Sequence, residues 1–155
     1  MASRGAQHMT VFNHIGLVVS DMSRSKQFYE DVLGFRVWYE DAPPDGATAK
    51  LLGLTPPLGV QTCYLTLGEC FLELIYLSAP EAKVTRRERT LDEVGLSHLS
   101  ISVDDIRATA AKAVEYGGEI VERSDLGLAL LIRDPDGQFV ELLSKDYPKS
   151  RPARP

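Results

Sequence analysis

The chain has 155 residues, of which 44% are hydrophobic and 25% charged, and a formal net charge of −5. That length fits one compact domain, or two small modules sharing a core that neither would fill alone. No apolar run reaches the ~20 residues of a membrane-spanning helix, and the acidic balance argues against nucleic acid, whose phosphates call for a concentrated basic surface.

Residues 1–9 read as a cloning scar or disordered leader, and His8 is set aside with them. Val11 to Ser20 reads as a strand, with Asp21 or Ser23 as N-cap of a helix over Met22 to Leu33 that Gly34 stops. Phe35 to Glu40 is a second strand, and the proline- and glycine-rich stretch Asp41 to Gly59 is a long loop with one helical turn near Ala49 to Leu52. Val60 to Leu67 and Cys70 to Leu77 form a hairpin about Gly68-Glu69, a two-residue turn signal. Pairing Leu67 with Cys70 sets Thr66 opposite Phe71, Tyr64 opposite Glu73 and Thr62 opposite Ile75. Cys63 and Cys70 do not face each other in that register, so no disulfide is expected. With no secretory signal, a reducing cytoplasm is the expected compartment.

Residues 78–95 form a charged linker whose basic run, Arg86-Arg87-Glu88-Arg89, reads as a solvated face. The plan then repeats. A strand over Ser97 to Val103 leads to a helix over Ile106 to Tyr116. Strands follow over Glu119 to Glu122, Leu128 to Ile132 and Gln138 to Leu143, the last two around Asp134-Pro-Asp-Gly137. Module one thus covers residues 10–77 and module two 96–145 of a single domain, and 146–155 form a flexible tail.

Each module opens a strand with a histidine, places an aspartate seven residues later at a helix start, and carries a glutamate in a late strand. The first set is His14, Asp21 and Glu73; the second is His98, Asp105 and Glu141. Leu99, Ile101 and Val103 share one face of their strand and His98, Ser100 and Ser102 the other, as expected where a strand lines a cleft. Glu73 and Glu141 interrupt apolar runs, and a carboxylate so placed calls for a cation or an ionic partner. Two imidazoles and two carboxylates, His14, Glu73, His98 and Glu141, suit one divalent ion per site, Zn, Ni, Co, Mn or Fe.

Together these residues resemble the vicinal oxygen chelate superfamily, which includes glyoxalase I, methylmalonyl-CoA epimerase, extradiol dioxygenases, and fosfomycin and bleomycin resistance proteins. The resemblance runs from about Thr10 to Lys145. It is carried by His14-Ile-Gly-Leu-Val-Val-Ser-Asp21, Phe28-Tyr29 through Leu33-Gly34-Phe35, and Phe71-Leu-Glu73-Leu in module one. In module two it rests on His98-Leu-Ser-Ile-Ser-Val-Asp-Asp105 and Asp134-Pro-Asp-Gly137-Gln-Phe-Val-Glu141-Leu. It implies an α+β fold of two tandem βαβββ modules forming a U-shaped, half-barrel sheet around a metal cleft, and a homodimer. On it His14, Glu73, His98 and Glu141 fall at the four ligand positions, contributed by one chain or by two. Bacterial glyoxalase I carries an arginine four residues after the first histidine and an asparagine four after the first glutamate, both serving glutathione. Here those positions are Val18 and Leu77, which argues against glutathione.

Such a site suits a metal-dependent isomerase, an epimerase or a glyoxalase-like lyase, acting on a small polar metabolite through an enolate or enediolate. Glu73 and Glu141 are the candidate proton carriers, and Tyr64 and Ser100 the candidate substrate contacts. An Fe(II) extradiol-type dioxygenase and an antibiotic-binding resistance protein are the alternatives.

Overall fold

A computed structural model describes residues 10–82 and 84–147. The expectations for residues 1–9 and for the tail beyond Tyr147 lie outside them.

Module one runs β1 (Ile15–Val19), α1 (Met22–Gln27), a π-helical turn (Phe28–Val32), β2 (Arg36–Asp41), α2 (Asp45–Leu52), β3 (Val60–Leu67) and β4 (Cys70–Leu77). Module two runs β5 (His98–Val103), α3 (Ile106–Glu115), β6 (Glu119–Ile120), a 3-10 turn (Glu122–Ser124), β7 (Ala129–Arg133) and β8 (Phe139–Ser144). The strands build two four-stranded sheets, ordered β1-β4-β3-β2 and β5-β8-β7-β6 and not closed into a barrel. In each, the opening strand lies parallel to the last, and the last two strands form an antiparallel hairpin. The expected βαβββ plan therefore occurs twice.

The aspartate seven residues after each histidine caps its helix. Asp21 Oδ1 accepts from the Arg24 N–H at 3.0 Å, and Asp105 Oδ1 from the Ala108 N–H at 2.9 Å, satisfying amides that the helix leaves unpaired. The first helix departs from the expected regular run to Leu33. Its last turn is π-helical, and Phe28 and Tyr29, adjacent in sequence, are both fully buried. The wider turn lets consecutive bulky side chains enter the core. The loop after β2 holds a full α-helix, α2, rather than one turn; its first residue, Asp45, accepts from the Leu58 and Gly59 amides and so pins the way back to β3. The strand expected over Glu119 to Glu122 shortens to two residues before the 3-10 turn. Cys63 and Cys70 are free thiols, and burial pushes the Cys63 thiol up to about 11.

One core serves both modules. Leu65, Leu72 and Leu74 of the first sheet and Leu130, Ile132, Val140 and Leu142 of the second lie in it with Phe28, Tyr29 and Ala113. The modules meet so closely there that a β-carbon on Gly118 would stand 2.8 Å from Phe28 Cε2. Polar bonds reinforce the contact. The Tyr29 hydroxyl donates to Asp134 Oδ2 at 2.9 Å, and the Ser20 N–H and Arg24 reach Asp136 at 3.0 and 2.9 Å. Asp134 is buried, and its other oxygen accepts from the Asp136 and Gln138 amides. Desolvation nonetheless raises its pKa above the ordinary carboxylate value.

Candidate metal centre

Strand register brings each histidine to its glutamate. In module one Gly16 of β1 lies opposite Glu73 of β4, and in module two Ser100 of β5 lies opposite Glu141 of β8. The histidine precedes that opposed residue by two positions in both cases, so period two puts it on the glutamate's face. His14 sits just before β1 rather than inside the strand expected from Val11. His14 Nε2 lies 3.0 Å from Glu73 Oε2, and His98 Nε2 lies 3.6 Å from Glu141 Oε2.

The other ring nitrogen of each histidine is engaged by its preceding neighbour. His14 Nδ1 is 2.6 Å from Asn13 Oδ1, and His98 Nδ1 is 2.9 Å from Ser97 Oγ. Holding Nδ1 this way orients the ring and aims Nε2 at the carboxylate, the arrangement that metal-binding histidines use. Tetrahedral ligands of a divalent ion with bonds of about 2.0–2.1 Å stand about 3.3–3.4 Å apart. The two pairs, at 3.0 and 3.6 Å, lie on either side of that spacing. The donor types and aim therefore suit a divalent ion, but each pair offers two donors where a catalytic site has three or four. Among the described residues no group of three or more His, Cys, Asp or Glu side chains gathers to hold a metal, so the four expected ligands form two separate pairs within one chain.

Each glutamate is also held by a hydroxyl. The Tyr64 hydroxyl donates to Glu73 Oε1 at 2.6 Å, as the hairpin register requires, and the Ser100 hydroxyl donates to Glu141 Oε2 at 2.6 Å. Tyr64 and Ser100, expected to touch substrate, are thus first of all carboxylate partners. Burial and the Glu73 bond push the Tyr64 pKa far above its ordinary value.

An aromatic wall beside the first pair went unseen in the sequence. Tyr39 stacks on Tyr64 with ring centroids 4.5 Å apart, His14 meets Tyr64 edge-on at 5.6 Å, and Trp38 meets Phe71 at 5.4 Å. The pairing of β2 with β3 slips between Val37 and Tyr39, leaving Trp38 as the extra residue of a bulge. A bulge re-aims side chains off simple alternation, so period two alone does not place Trp38 and Tyr39. Both remain exposed.

Comparison with known proteins agrees with this architecture. Residues 11–142 match the family model of the Glyoxalase/Bleomycin resistance protein/Dioxygenase superfamily, and the chain belongs to that superfamily. It is 30% identical over 143 residues to a lactoylglutathione lyase of Pseudomonas aeruginosa, covering 86% of this chain and 81% of that one. It is 28% identical over 96 residues to the mitochondrial methylmalonyl-CoA epimerase of Mus musculus, an overlap spanning 62% of this chain and only 47% of that relative. Among solved structures, a trypanothione-dependent glyoxalase I of Leishmania major aligns at 25% identity with a TM-score of 0.61, covering 84% of each chain. A glyoxalase family protein of Bacillus cereus shares the fold at a TM-score of 0.72 and 18% identity, covering 93% of this chain and 97% of that one. Among the described residues no helix is long and apolar enough to cross a membrane.

Proposed function

We propose that the protein is a divalent-metal-dependent isomerase that moves a proton beside a substrate carbonyl, as an epimerase or a glyoxalase-like lyase does. The reading is carried by the repeated pair, a histidine Nε2 aimed at a carboxylate oxygen with Nδ1 engaged behind it. His14, Glu73, His98 and Glu141 would hold the ion. Because each pair supplies two donors, the site is completed when module one of one copy meets module two of a second, in a homodimer. A divalent ion held there would supply Lewis-acid stabilisation of the charge that develops on a carbonyl oxygen.

The two carboxylates are not equivalent as bases. Glu73 has one oxygen toward His14 and the other bonded by Tyr64. Glu141 has both His98 and Ser100 at Oε2, which leaves Oε1 uncommitted among the described residues. Glu141 is also the more open side chain, 30% exposed against 12% for Glu73. Glu141 therefore takes the proton from the carbon beside the carbonyl, and Glu73 serves chiefly to hold the ion. Return of the proton to the same carbon gives epimerisation; delivery to the adjacent carbon gives isomerisation.

The test is metal titration of the full chain with Zn, Ni and Co, alongside solvent-deuterium exchange into α-hydroxy ketones and acyl thioesters. One ion per chain is expected, with metal-dependent exchange into one substrate class. H14A and H98A should each abolish binding, and an equal mixture of the two, refolded together, should regain about a quarter of wild-type sites, since half the dimers carry one intact site. Absence of metal binding, or of metal-dependent exchange, would overturn the isomerase reading. A mixture that stays inactive would place each site within a single chain.

A further inference from the structure

The basic run of the linker does more than face solvent. Arg86, Arg87 and Arg89 line a cavity of about 480 Å³, within the range of small-ligand sites. Gly16 and Val18 of β1 form another part of its wall. Gly16 also adjoins the first His–Glu pair, since a β-carbon there would stand 3.8 Å from Glu73 Oε2, an ordinary contact distance.

The charges in this cavity do not cancel. Two carboxylates share its lining: Asp136 is paired with Arg24 and held by Ser20, while Asp134, bonded only to the neutral Tyr29 hydroxyl and two backbone amides, leaves one carboxylate against three arginines. Arg87 pairs with Glu93 at 3.0 Å. Arg89, half-buried, donates only to neutral acceptors, Leu96 O at 2.5 Å and Gln138 Oε1 at 3.1 Å, and forms no ion pair among the described residues. Arg86 reaches Glu119 only at 3.9 Å, between two exposed side chains, and lies against Gly137. Arg89 thus keeps unspent charge in a concave site of a chain whose net charge is −5, and Arg86 stands at the border between this cavity and a neighbouring one lined by Glu119 and Gly137. A partly desolvated guanidinium with neutral partners is matched best by an oxyanion, whose paired oxygens fit its fork.

We propose that this cavity is an anion subsite, in which Arg89 and Arg86 hold a carboxylate or phosphate group of the substrate while its reacting carbonyl lies toward Glu73. The placement of the carbonyl rests on the isomerase reading above; the anion subsite itself does not. It narrows the substrate class to small metabolites with an anionic group remote from the reacting carbon.

Calorimetric titration of the full chain with inorganic phosphate, pyrophosphate and malonate tests this at low ionic strength. At least one probe should bind saturably, and whether malonate or a phosphate binds tighter identifies the anionic group. R86Q and R89Q should each weaken binding about tenfold, while R123Q, which removes an equal charge outside the cavity, should change it less than about twofold. Arg89 also ties the linker to Leu96, so R86Q decides if R89Q fails to fold. Lack of saturable binding by the wild type, unchanged binding in R86Q, or an equal loss in R123Q would overturn the subsite. Metal titration of the same samples separates the two readings: anion binding without metal binding sinks the isomerase and leaves the subsite, and metal binding without anion binding does the reverse.

Discussion

Module one and module two solve the same problem with the supports exchanged. In module one the residue opposite Glu73 across the parallel pair is Gly16, and the hydroxyl donor, Tyr64, comes from the antiparallel side. In module two the donor, Ser100, stands on the parallel side, and the antiparallel neighbour of Glu141 is the apolar Leu131. The histidine-to-glutamate geometry is common to both, whereas the surroundings differ. Module one gains an aromatic wall and an open cavity at its glycine; module two gains a more exposed carboxylate with one oxygen to spare. A repeated backbone register fixes the histidine–glutamate pair, and the residues flanking it make the two pairs unlike.

That difference is most directly tested at the glutamates. E141Q should keep metal affinity within about tenfold yet lose roughly 100-fold or more in proton exchange, the size of a general-base contribution. E73Q should lose metal affinity first, and its exchange should recover at high metal concentration. Parallel metal titrations and deuterium wash-in read both; equal behaviour of the two variants would erase the proposed asymmetry. A smaller effect is expected where the modules join. Y29F leaves buried Asp134 without its hydroxyl donor and should cost about 1–3 kcal/mol by urea denaturation. Smaller again, Y64F and S100A should each weaken metal binding several-fold, about 0.5–1.5 kcal/mol for one hydrogen bond to a ligand. The subtlest signature is in pH. Asp134 has a raised native pKa, so its contribution to stability is full below the unfolded value of about 3.9 and is lost as pH rises through the native value. The stability of wild type relative to D134N should therefore fall with rising pH across that window, and a flat difference would show that folding leaves the Asp134 pKa unchanged.

Much of this was legible in the sequence because period two is a strong constraint. The Gly68-Glu69 turn set the whole β3–β4 register, Tyr64 opposite Glu73 included, and the structure reproduces it. The sequence offered Asp21 or Ser23 as the first cap and put Asp105 at a helix start, and the structure gives both caps to the aspartates. What escaped has a shared physical origin in departures from regular repeats. The π-turn at Phe28 and the bulge at Trp38 each insert a residue that no fixed period anticipates. The linker arginines escaped for another reason, since only tertiary contact reveals that a charged run borders a cavity. The sequence left open whether the four candidate ligands come from one chain or two, and within one chain they stand as two pairs.

The bonds from Tyr29 to Asp134 and from Ser20 and Arg24 to Asp136 join the halves of the molecule independently of the connecting peptide. The linker that trypsin would attack, at exposed Arg86 and Arg87, is therefore not what keeps the halves together. A chain nicked there should elute as one species under native conditions and come apart into two fragments only in denaturant. The two halves expressed as separate polypeptides should find each other in the same way, which would make the molecule a natural split protein.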